Sequence, residues 1–337
     1  MSDDTVTIVG GGIAGLSVAW ELVRRGRAVT VFEARTIGSG TSAVATSYLE
    51  PRLGTTPARR LEWEALARWP DFAADIERRS GIDVGFRPDG QWRYAFATDR
   101  AEVRADFETR RDAGWDVEWL SGDALREREP QVSPAVTAAA LVRDPAWVDG
   151  PALCRALATA IEGRGGNIRE NTTFSARDSN ATLVIANGEG ADALGLDLPK
   201  GRVTKGTTLF YPVAHGLTRM LRHRTLSVVP RGDGLVVGSS RERGASSLAP
   251  DRAVVADLHA KAVRVLPALE GVVPEPRTGF RAMIGDGSLN LGRRGNLFWS
   301  LSHAGVGYLR APLVGAELAA IICGEKPDLI APFYSEA

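Results

Sequence analysis

The chain has 337 residues with 41 basic and 41 acidic side chains, and its hydrophobic fraction of 44% is that of an ordinary globular protein. This composition excludes a disordered chain, and the zero net charge argues against a strong binder of nucleic acid. The two cysteines exclude a disulfide framework and match no zinc motif. The 37 glycines among 337 residues are more than the usual share of about 7%, and they indicate positions where the backbone needs unusual freedom.

The N-terminus, Met-Ser-Asp-Asp, leads directly into an apolar run. It carries no basic region and no cleavage site of small residues, so it does not resemble a secretory signal. No stretch approaches the roughly 20 apolar residues of a membrane-spanning helix. We therefore expect a cytoplasmic protein without a membrane span.

A strand, a glycine turn, a helix and a second strand open the chain. The β-branched run at residues 6–9 predicts a buried parallel strand, and the amphipathic segment 16–25 predicts a helix that ends at Gly26. A second buried strand, residues 28–32, leads to Glu33, which follows the last glycine of a G-x-G-x-x-G turn by 18 positions. This order is typical of a dinucleotide-binding βαβ unit.

Each part of that unit has a physical role. Gly10 allows the tight turn, Gly12 lets the backbone approach a pyrophosphate at the positive end of the helix, and Gly15 lets helix and strand pack closely. Glu33 is suited to accept hydrogen bonds from ribose hydroxyls and to repel a 2′-phosphate, which predicts FAD or NAD rather than NADP. The predicted contacts include the neighbouring residues Ile13, Ala14, Ala34 and Arg35.

Small and hydroxyl-bearing side chains fill residues 37–47. Such a segment suits either a flexible surface loop or a loop that contacts phosphates and allows close approach to a ring system. Its position after an N-terminal nucleotide motif favours the second interpretation and tilts the prediction toward FAD. The predicted contacts in this loop are Gly40, Thr41, Ser42, Thr46 and Ser47.

The remaining chain alternates between helices and strands. The periodicity predicts one long helix over residues 59–80 and a hairpin within residues 84–97. Further elements are predicted as helices over 98–113, 151–161, 253–265 and 311–323, and as strands over 136–142 and 167–173. The predicted nucleotide domain comprises residues 1–82, 146–205 and 288–337, and the predicted substrate domain comprises residues 83–145 and 206–287.

Four later blocks carry a resemblance. They are the strand and turn at 183–188, the hairpin at 230–240 with its Gly232-Asp233-Gly234 turn, the segment 279–292 containing Gly279-Phe280-Arg281, and the strand and glycine loop at 296–308. Together with the N-terminal unit, they resemble the flavin-dependent amine and amino-acid oxidoreductases. That family includes glycine oxidase, D-amino-acid oxidase and dehydrogenase, sarcosine oxidase, and the oxidoreductase domain of the bifunctional enzyme that matures methylaminomethyl-thiouridine in tRNA.

The resemblance implies an α/β fold. A Rossmann-like FAD-binding domain of the glutathione-reductase type would be interleaved with an α+β substrate domain built on a mixed or antiparallel sheet. It also implies cofactor contacts from Phe174, Asn187, Gly188, Gly305, Val306, Gly307 and Tyr308. Neither Cys154 nor Cys323 matches the cysteine that tethers flavin in the sarcosine-oxidase branch, so we expect non-covalent FAD.

The chemistry implied by the resemblance is the oxidation of a C–N bond. Hydride passes from the carbon next to nitrogen to flavin N5, and water hydrolyses the resulting imine. Arg281 falls on the position that clamps the substrate carboxylate in the glycine-oxidase branch, and His303 lies beside the last glycine loop. These two residues are the predicted catalytic residues, no metal site is predicted, and Arg310 faces either the active site or solvent.

Several positions depart from the family pattern. The tyrosine that precedes the hairpin in the glycine-oxidase branch is about Ser227 here, and Gly305 and Val306 replace an arginine–asparagine pair. The proline of the DG-x-P block is Leu289, and the segment 171–186 is too short for the usual three-stranded meander. These departures affect the prediction of a small amino-acid substrate more than the prediction of a flavin.

Three alternatives stay open. The first is a flavoenzyme acting on a carboxymethylamino group of a larger molecule such as tRNA, which the balanced charge disfavours. The second is a flavoprotein with weak or no turnover, and the third is an NAD-dependent Rossmann dehydrogenase. For the leading hypothesis, the expected substrates are a small amine or amino acid and O2 or another electron acceptor. A homo-oligomer is one expected state of the protein.

Overall fold

The structure, a computed structural model, describes residues 5–175, 182–224, 226–303 and 305–336. The helices are α1 (Ile13–Arg24), α2 (Thr41–Val44), α3 (Pro57–Ala67), α4 (Trp69–Ser80), α5 (Arg100–Asp112), α6 (Gly122–Arg128), α7 (Gly150–Glu162), α8 (Arg252–Val265) and α9 (Gly307–Ile322). Short 3-10 helices span Gly188–Leu194, Pro267–Leu269 and Ala331–Phe333. Across these described ranges, no helix is both long and apolar enough to cross a membrane.

Eighteen strands are present in the described part of the chain. The first nine are β1 (Val6–Val9), β2 (Val29–Phe32), β3 (Tyr48–Leu49), β4 (Gln91–Phe96), β5 (Val117–Ser121), β6 (Val136–Val142), β7 (Ala146–Trp147), β8 (Asn167–Arg169) and β9 (Leu183–Ile185). The others are β10 (Gly201–Tyr211), β11 (Met220–His223), β12 (Leu226–Arg231), β13 (Gly234–Gly238), β14 (Glu242–Arg243), β15 (Glu275–Ile284), β16 (Asn290–Arg294), β17 (Leu297–Leu301) and β18 (Tyr334–Glu336).

A seven-stranded sheet forms the nucleotide-binding half of the fold. Its order is β18-β16-β17-β9-β1-β2-β8, and every pairing is parallel except that of β16 with β17. All four residues of β1 are buried, as expected for a central parallel strand covered on both faces. The helix α1 connects β1 to β2 and packs against α9. This sheet confirms the mixed α/β fold expected from the sequence.

A nine-stranded sheet forms the other half. Its main path is β14-β10-β13-β12-β11-β4-β6-β5, and β15 pairs with β10 from Gly201 opposite Ile284 to Phe210 opposite Glu275. The pairings are antiparallel except that of β11 with β4. The predicted hairpin forms, since Arg231 pairs with Gly234 across its turn. The domain limits stay a prediction, and the limit placed between residues 205 and 206 falls inside β10.

The prediction of a single helix over residues 59–80 is wrong, because two helices meet at Arg68. Pro70 occupies the first turn of α4, where its missing N–H leaves no hydrogen bond unmade. A proline at that position would break an uninterrupted helix, since its ring clashes with the carbonyl four residues earlier. The amphipathic pattern therefore continues across a change of helix.

The local hairpin expected within residues 84–97 is also wrong. Only β4 forms there, and it pairs with β6 on one side and β11 on the other. The segment before it makes a single bridge, between Arg87 and Trp147. Both edges of β4 are thus paired with strands that are distant in sequence. Its alternation of apolar and polar residues belongs to a central strand of the sheet and not to a local hairpin. The strand expected over 167–173 is shorter, since β8 ends at Arg169.

Candidate functional site

A cavity of about 1520 Å³ opens between the two sheets. It exceeds the roughly 300–1,000 Å³ of an ordinary small-ligand pocket, so it has room for a dinucleotide together with a further small molecule. All the predicted site residues except Gly15 line it. They are Gly10, Gly12, Ile13, Ala14, Glu33, Ala34, Arg35, Gly40, Thr41, Ser42, Thr46, Ser47, Phe174, Asn187, Gly188, Arg281, His303, Gly305, Val306, Gly307 and Tyr308.

Gly15 lies behind the cavity wall and determines how α1 packs. A Cβ at this position would lie 2.0 Å from the carbonyl oxygen of Gly10, a distance that no side chain tolerates. Gly10 itself has a φ of +114°, which favours glycine, and a Cβ there would lie 2.6 Å from the Ala186 carbonyl oxygen. The two glycines therefore bring β1, α1 and β9 close enough to form the floor of the nucleotide site.

The N-terminus of α1 points its positive dipole end toward the cavity. Its N-cap, Gly12, provides no side-chain cap, and no acidic residue lies in the first turn. The Ile13 N–H donates to Ser42 Oγ at 3.1 Å. Unneutralised N–H groups at a glycine-flanked helix start suit a pyrophosphate.

Glu33 is fixed by the backbone on both of its carboxylate oxygens. Gly11 N–H donates to Oε2 at 2.8 Å, and Arg35 N–H donates to Oε1 at 2.9 Å. Both oxygens keep free lone pairs, because a carboxylate has about four acceptor positions. The Glu33 side chain lines the cavity at the end of β2, which is where a ribose hydroxyl would lie in a dinucleotide site.

The loop of residues 40–47 connects the two sheets. Thr41 Oγ1 donates to the Phe280 carbonyl at 2.5 Å, and Thr208 Oγ1 donates to the Val44 carbonyl at 2.9 Å. The Tyr308 hydroxyl donates to the Ser42 carbonyl at 2.9 Å. The alternative of a flexible surface loop is thus excluded, since α9, β10 and β15 hold this segment in place.

Neither cysteine lines the cavity. Cys154 is buried, with its Sγ 3.7 Å from the Tyr308 hydroxyl, and Cys323 is exposed. Burial raises the pKa of the Cys154 thiol to about 12, so this group stays a neutral thiol. A thiol of this kind suits a packing role beside the cavity.

Arg281 lies on β15 at the part of the cavity formed by the second sheet. Its Nη2 donates to Ser239 Oγ at 2.8 Å and its Nη1 donates to the Ser240 carbonyl at 3.2 Å. A Cβ at Gly206 would lie 2.4 Å from Nη1, so only a glycine lets the guanidinium rest against β10. Burial and the nearby Arg241 lower the pKa of Arg281, and its guanidinium has no carboxylate partner among the described residues.

His303 lies beside the last glycine loop. Its Nε2 is 3.1 Å from Ser300 Oγ, and its Nδ1 has no hydrogen-bond partner among the described residues. Burial and, secondarily, the charge of Arg310 lower the pKa of His303 to about 4. The imidazole is therefore neutral near pH 7, and its Nδ1 is buried behind the cavity wall.

Arg310 faces neither the cavity nor solvent. It is buried, and its Nη2 donates to Glu62 Oε1 at 2.7 Å. Glu62 is fully buried and is also paired with Arg52 and Arg59. This cluster connects α3 to α9 and holds the start of α9 at the cavity.

Sequence reasoning missed a second group of polar residues in the cavity lining, namely Tyr48, Glu50, Arg52, Arg222, Ser239 and Arg241. The alternation of Tyr48, at the start of β3, with Glu50, directly after its end, was an available signal. No local signal distinguished Arg222, because the chain contains 37 arginines.

The nucleotide sheet, the open helix start and the arginine at the far part of the cavity define a dinucleotide-dependent oxidoreductase. The pattern of the FAD-dependent oxidoreductase family, DAO, matches residues 5–321. The chain belongs to this family, and its cofactor is FAD. The geometry at Gly12, Glu33 and Ser42 fits that cofactor.

The chain is similar to glycine oxidase from Bacillus licheniformis, with 28% identity over 99% of this chain and 97% of the relative. It is also similar to the solved structure of glycine oxidase from Geobacillus kaustophilus, with 27% identity, a TM-score of 0.86, and coverage of 98% of this chain and 97% of that one. The solved structure of glycine oxidase from Bacillus cereus ATCC 14579 superposes with a TM-score of 0.89 at 24% identity, covering 98% and 97% of the two chains.

Proposed function

We propose that this FAD-dependent oxidoreductase oxidises the C–N bond of an amino acid or small amine whose carboxylate binds Arg281. The observation that supports this most is the Arg281 guanidinium, which lines the cavity without a carboxylate partner among the described residues. A planar guanidinium can bind a carboxylate through two parallel hydrogen bonds and so fixes both its position and its orientation. The similarity to glycine oxidases supports the same substrate class.

FAD held near Gly12, Glu33 and Ser42 would supply the two-electron oxidation of the carbon next to nitrogen, and water would hydrolyse the resulting imine. The chain provides position and electrostatics. Arg281 orients the substrate through its carboxylate, and the neutral His303 lines the cavity without adding a charge. The start of α9, at Gly307, has no acidic residue in its first turn, so its positive dipole end favours negative charge in the cavity.

Product analysis tests this proposal. The purified holoprotein, supplied with O2 or with an artificial electron acceptor, should convert glycine to glyoxylate and ammonia, or sarcosine to glyoxylate and methylamine. A D-amino acid should give the corresponding oxo acid and ammonia. Reduction of the acceptor without any oxo acid would contradict the proposal. The natural electron acceptor, the cytoplasmic location and a homo-oligomeric state stay predictions.

A further inference from the structure

A second arginine, Arg222 on β11, lines the cavity and takes no part in the function proposed above. Its Nη1 donates to Ser227 Oγ at 2.5 Å. Ser227 is the register partner of Gly238, which directly precedes the Ser239 that accepts from Arg281. The guanidinium groups of Arg222 and Arg281 are thus anchored to adjacent points of the same sheet, and both residues line the cavity.

Tyr48 lines the same cavity and packs against Arg222. The Arg222 guanidinium carbon lies 4.2 Å from the centre of the Tyr48 ring. The ring supports the Arg222 side chain, which is only 11% exposed. Arg222 is therefore a fixed group in the cavity wall and not a mobile surface arginine.

The cluster behind Arg222 has one positive charge in excess. Glu50 is paired with Arg93 at 3.0 Å, Arg110 at 3.2 Å and Arg222 at 3.5 Å. Asp106 also pairs with two of these arginines, at 2.7 Å from Arg93 and 3.0 Å from Arg110. Three guanidinium groups thus face two carboxylates.

Arg222 is the member of the cluster with spare capacity. It makes the longest of the three contacts to Glu50, and it is not within ion-pair distance of Asp106, which pairs with the other two arginines. Its positive charge is therefore the least neutralised of the three and is available to an anion in the cavity. At the rim of the cavity, the exposed Arg241 adds positive charge that would attract an anionic substrate.

We propose that the substrate carries a second carboxylate, which Arg222 binds while Arg281 holds the first. The substrate class is then a dicarboxylic amine, either a secondary amine with two carboxymethyl arms or an acidic amino acid. This inference depends on the proposed amine oxidation. It differs from a site for a cationic substrate, because the carboxylate of Glu50 is already engaged by Gln91 at 2.7 Å and by its arginine partners.

Matched substrate pairs test the inference on the unmodified holoprotein. Iminodiacetate differs from sarcosine, and D-aspartate from D-alanine, only by the added carboxylate. We expect kcat/KM to be about 10- to 100-fold higher for at least one dicarboxylic member of these pairs, the range of a hydrogen-bonded charge. Equal or lower values for both dicarboxylic members would overturn the inference and leave the proposed function intact. Preference for a cationic amine such as D-lysine would also overturn it.

The variant Arg222→Met should remove the preference. It keeps much of the side-chain volume, so we expect the dicarboxylic substrate alone to lose about 10- to 100-fold in kcat/KM, with Arg222→Lys restoring part of it. Arg219→Met is the matched control, because Arg219 lies one residue before β11 and contacts the Asp89 carbonyl outside the cavity lining. An equal loss for sarcosine and iminodiacetate would contradict the assignment.

A binding measurement covers the case in which Arg222→Met does not fold or no amine is oxidised. Malonate and succinate should perturb the flavin absorbance of the wild-type holoprotein at concentrations about tenfold or more below those needed for acetate and butyrate. Dicarboxylate binding without oxidation of any amine would overturn the proposed function alone. Equal binding of mono- and dicarboxylates would overturn the second subsite.

Discussion

At the scale of single residues, the role proposed for Arg281 depends on its planar fork being held in one orientation. Ser239 and Ser240 accept from its two terminal nitrogens, and Gly206 leaves the space in which the group lies. A lysine would keep the charge but lose the two parallel donors.

We therefore expect Arg281→Lys to lower kcat/KM for the amino-acid substrate by about 100-fold, mainly through KM, while FAD stays bound. Steady-state kinetics and the flavin spectrum measure the two effects. Arg277→Lys on the same strand is the control, since Arg277 lies over the Phe210 ring at 4.1 Å and does not line the cavity. Equal losses in both variants would contradict the carboxylate-binding role.

His303 should titrate near pH 4, because burial and the charge of Arg310 disfavour its protonated form. The unfolded chain, with an ordinary pKa of about 6.5, takes up the proton first, so this residue contributes a loss of stability as the pH falls from about 6.5 to about 4. NMR of selectively labelled histidines, assigned with His303→Gln, measures the midpoint. A midpoint near 6.5 would contradict the environment that lowers the pKa of this imidazole.

Gly10, Gly12 and Glu33 belong to a fixed strand–turn–helix pattern, and the structure places all three in the cavity lining. Their contacts with the cofactor stay a prediction. Arg222 could not be found, because its importance comes from Ser227 and Tyr48, which only the folded sheet brings to it.

At the scale of elements, the packing of α1 on β1 depends on Gly15. We expect Gly15→Ala to destabilise the protein by about 3 kcal/mol and to weaken FAD binding, because the added methyl group would overlap the Gly10 carbonyl. Thermal unfolding and FAD titration measure this. Gly163→Ala, at a residue with right-handed helical geometry at the end of α7, should change stability far less. Similar losses in both variants would contradict the packing argument.

The contact between α3 and α9 depends on a buried carboxylate. Glu62→Gln would leave Arg310 charged and unpaired, and we expect a loss of about 3–5 kcal/mol in the free energy of unfolding. Its arginine partners lower the pKa of Glu62 against the opposing effect of burial, so the stability it provides is present at neutral pH and is lost as the pH falls through that pKa. Denaturant unfolding measures both effects.

The exposed pair of Arg104 and Glu108 on α5 provides the control for that experiment. Glu108→Gln should change the free energy of unfolding by no more than about 0.5 kcal/mol, since an exposed ion pair is screened by solvent. A Glu62 variant as mild as the Glu108 variant would show that the buried cluster does not hold α9.

The types of the elements followed from their periodicity, but their partners did not. The helices α5, α7 and α8 lie close to their predicted ranges. The strand β4 was mistaken for half of a hairpin because its alternating pattern fits any half-buried strand, and its true neighbours, β6 and β11, are distant in sequence. Local patterns report burial, whereas strand pairing depends on the whole fold.

At the scale of the whole molecule, the cavity is formed where the two sheets meet along residues 40–47. The Arg231 Nη2 donates to the Ala45 carbonyl at 2.6 Å, and Thr208 and Thr41 make two further connections between the halves. The glycine-rich backbone provides the nucleotide end of the cavity, and the second sheet provides its arginines. We propose that this arrangement places a small anionic amine beside FAD.

Anaerobic mixing of the holoprotein with amines tests that claim most directly. We predict that glycine, sarcosine, a D-amino acid or a dicarboxylic amine such as iminodiacetate bleaches the oxidised flavin band, with one equivalent of oxo acid formed per flavin reduced. Arg281→Lys should require a far higher concentration of the same amine. If dithionite reduces the flavin but none of these amines does, the account of an amine oxidoreductase is contradicted.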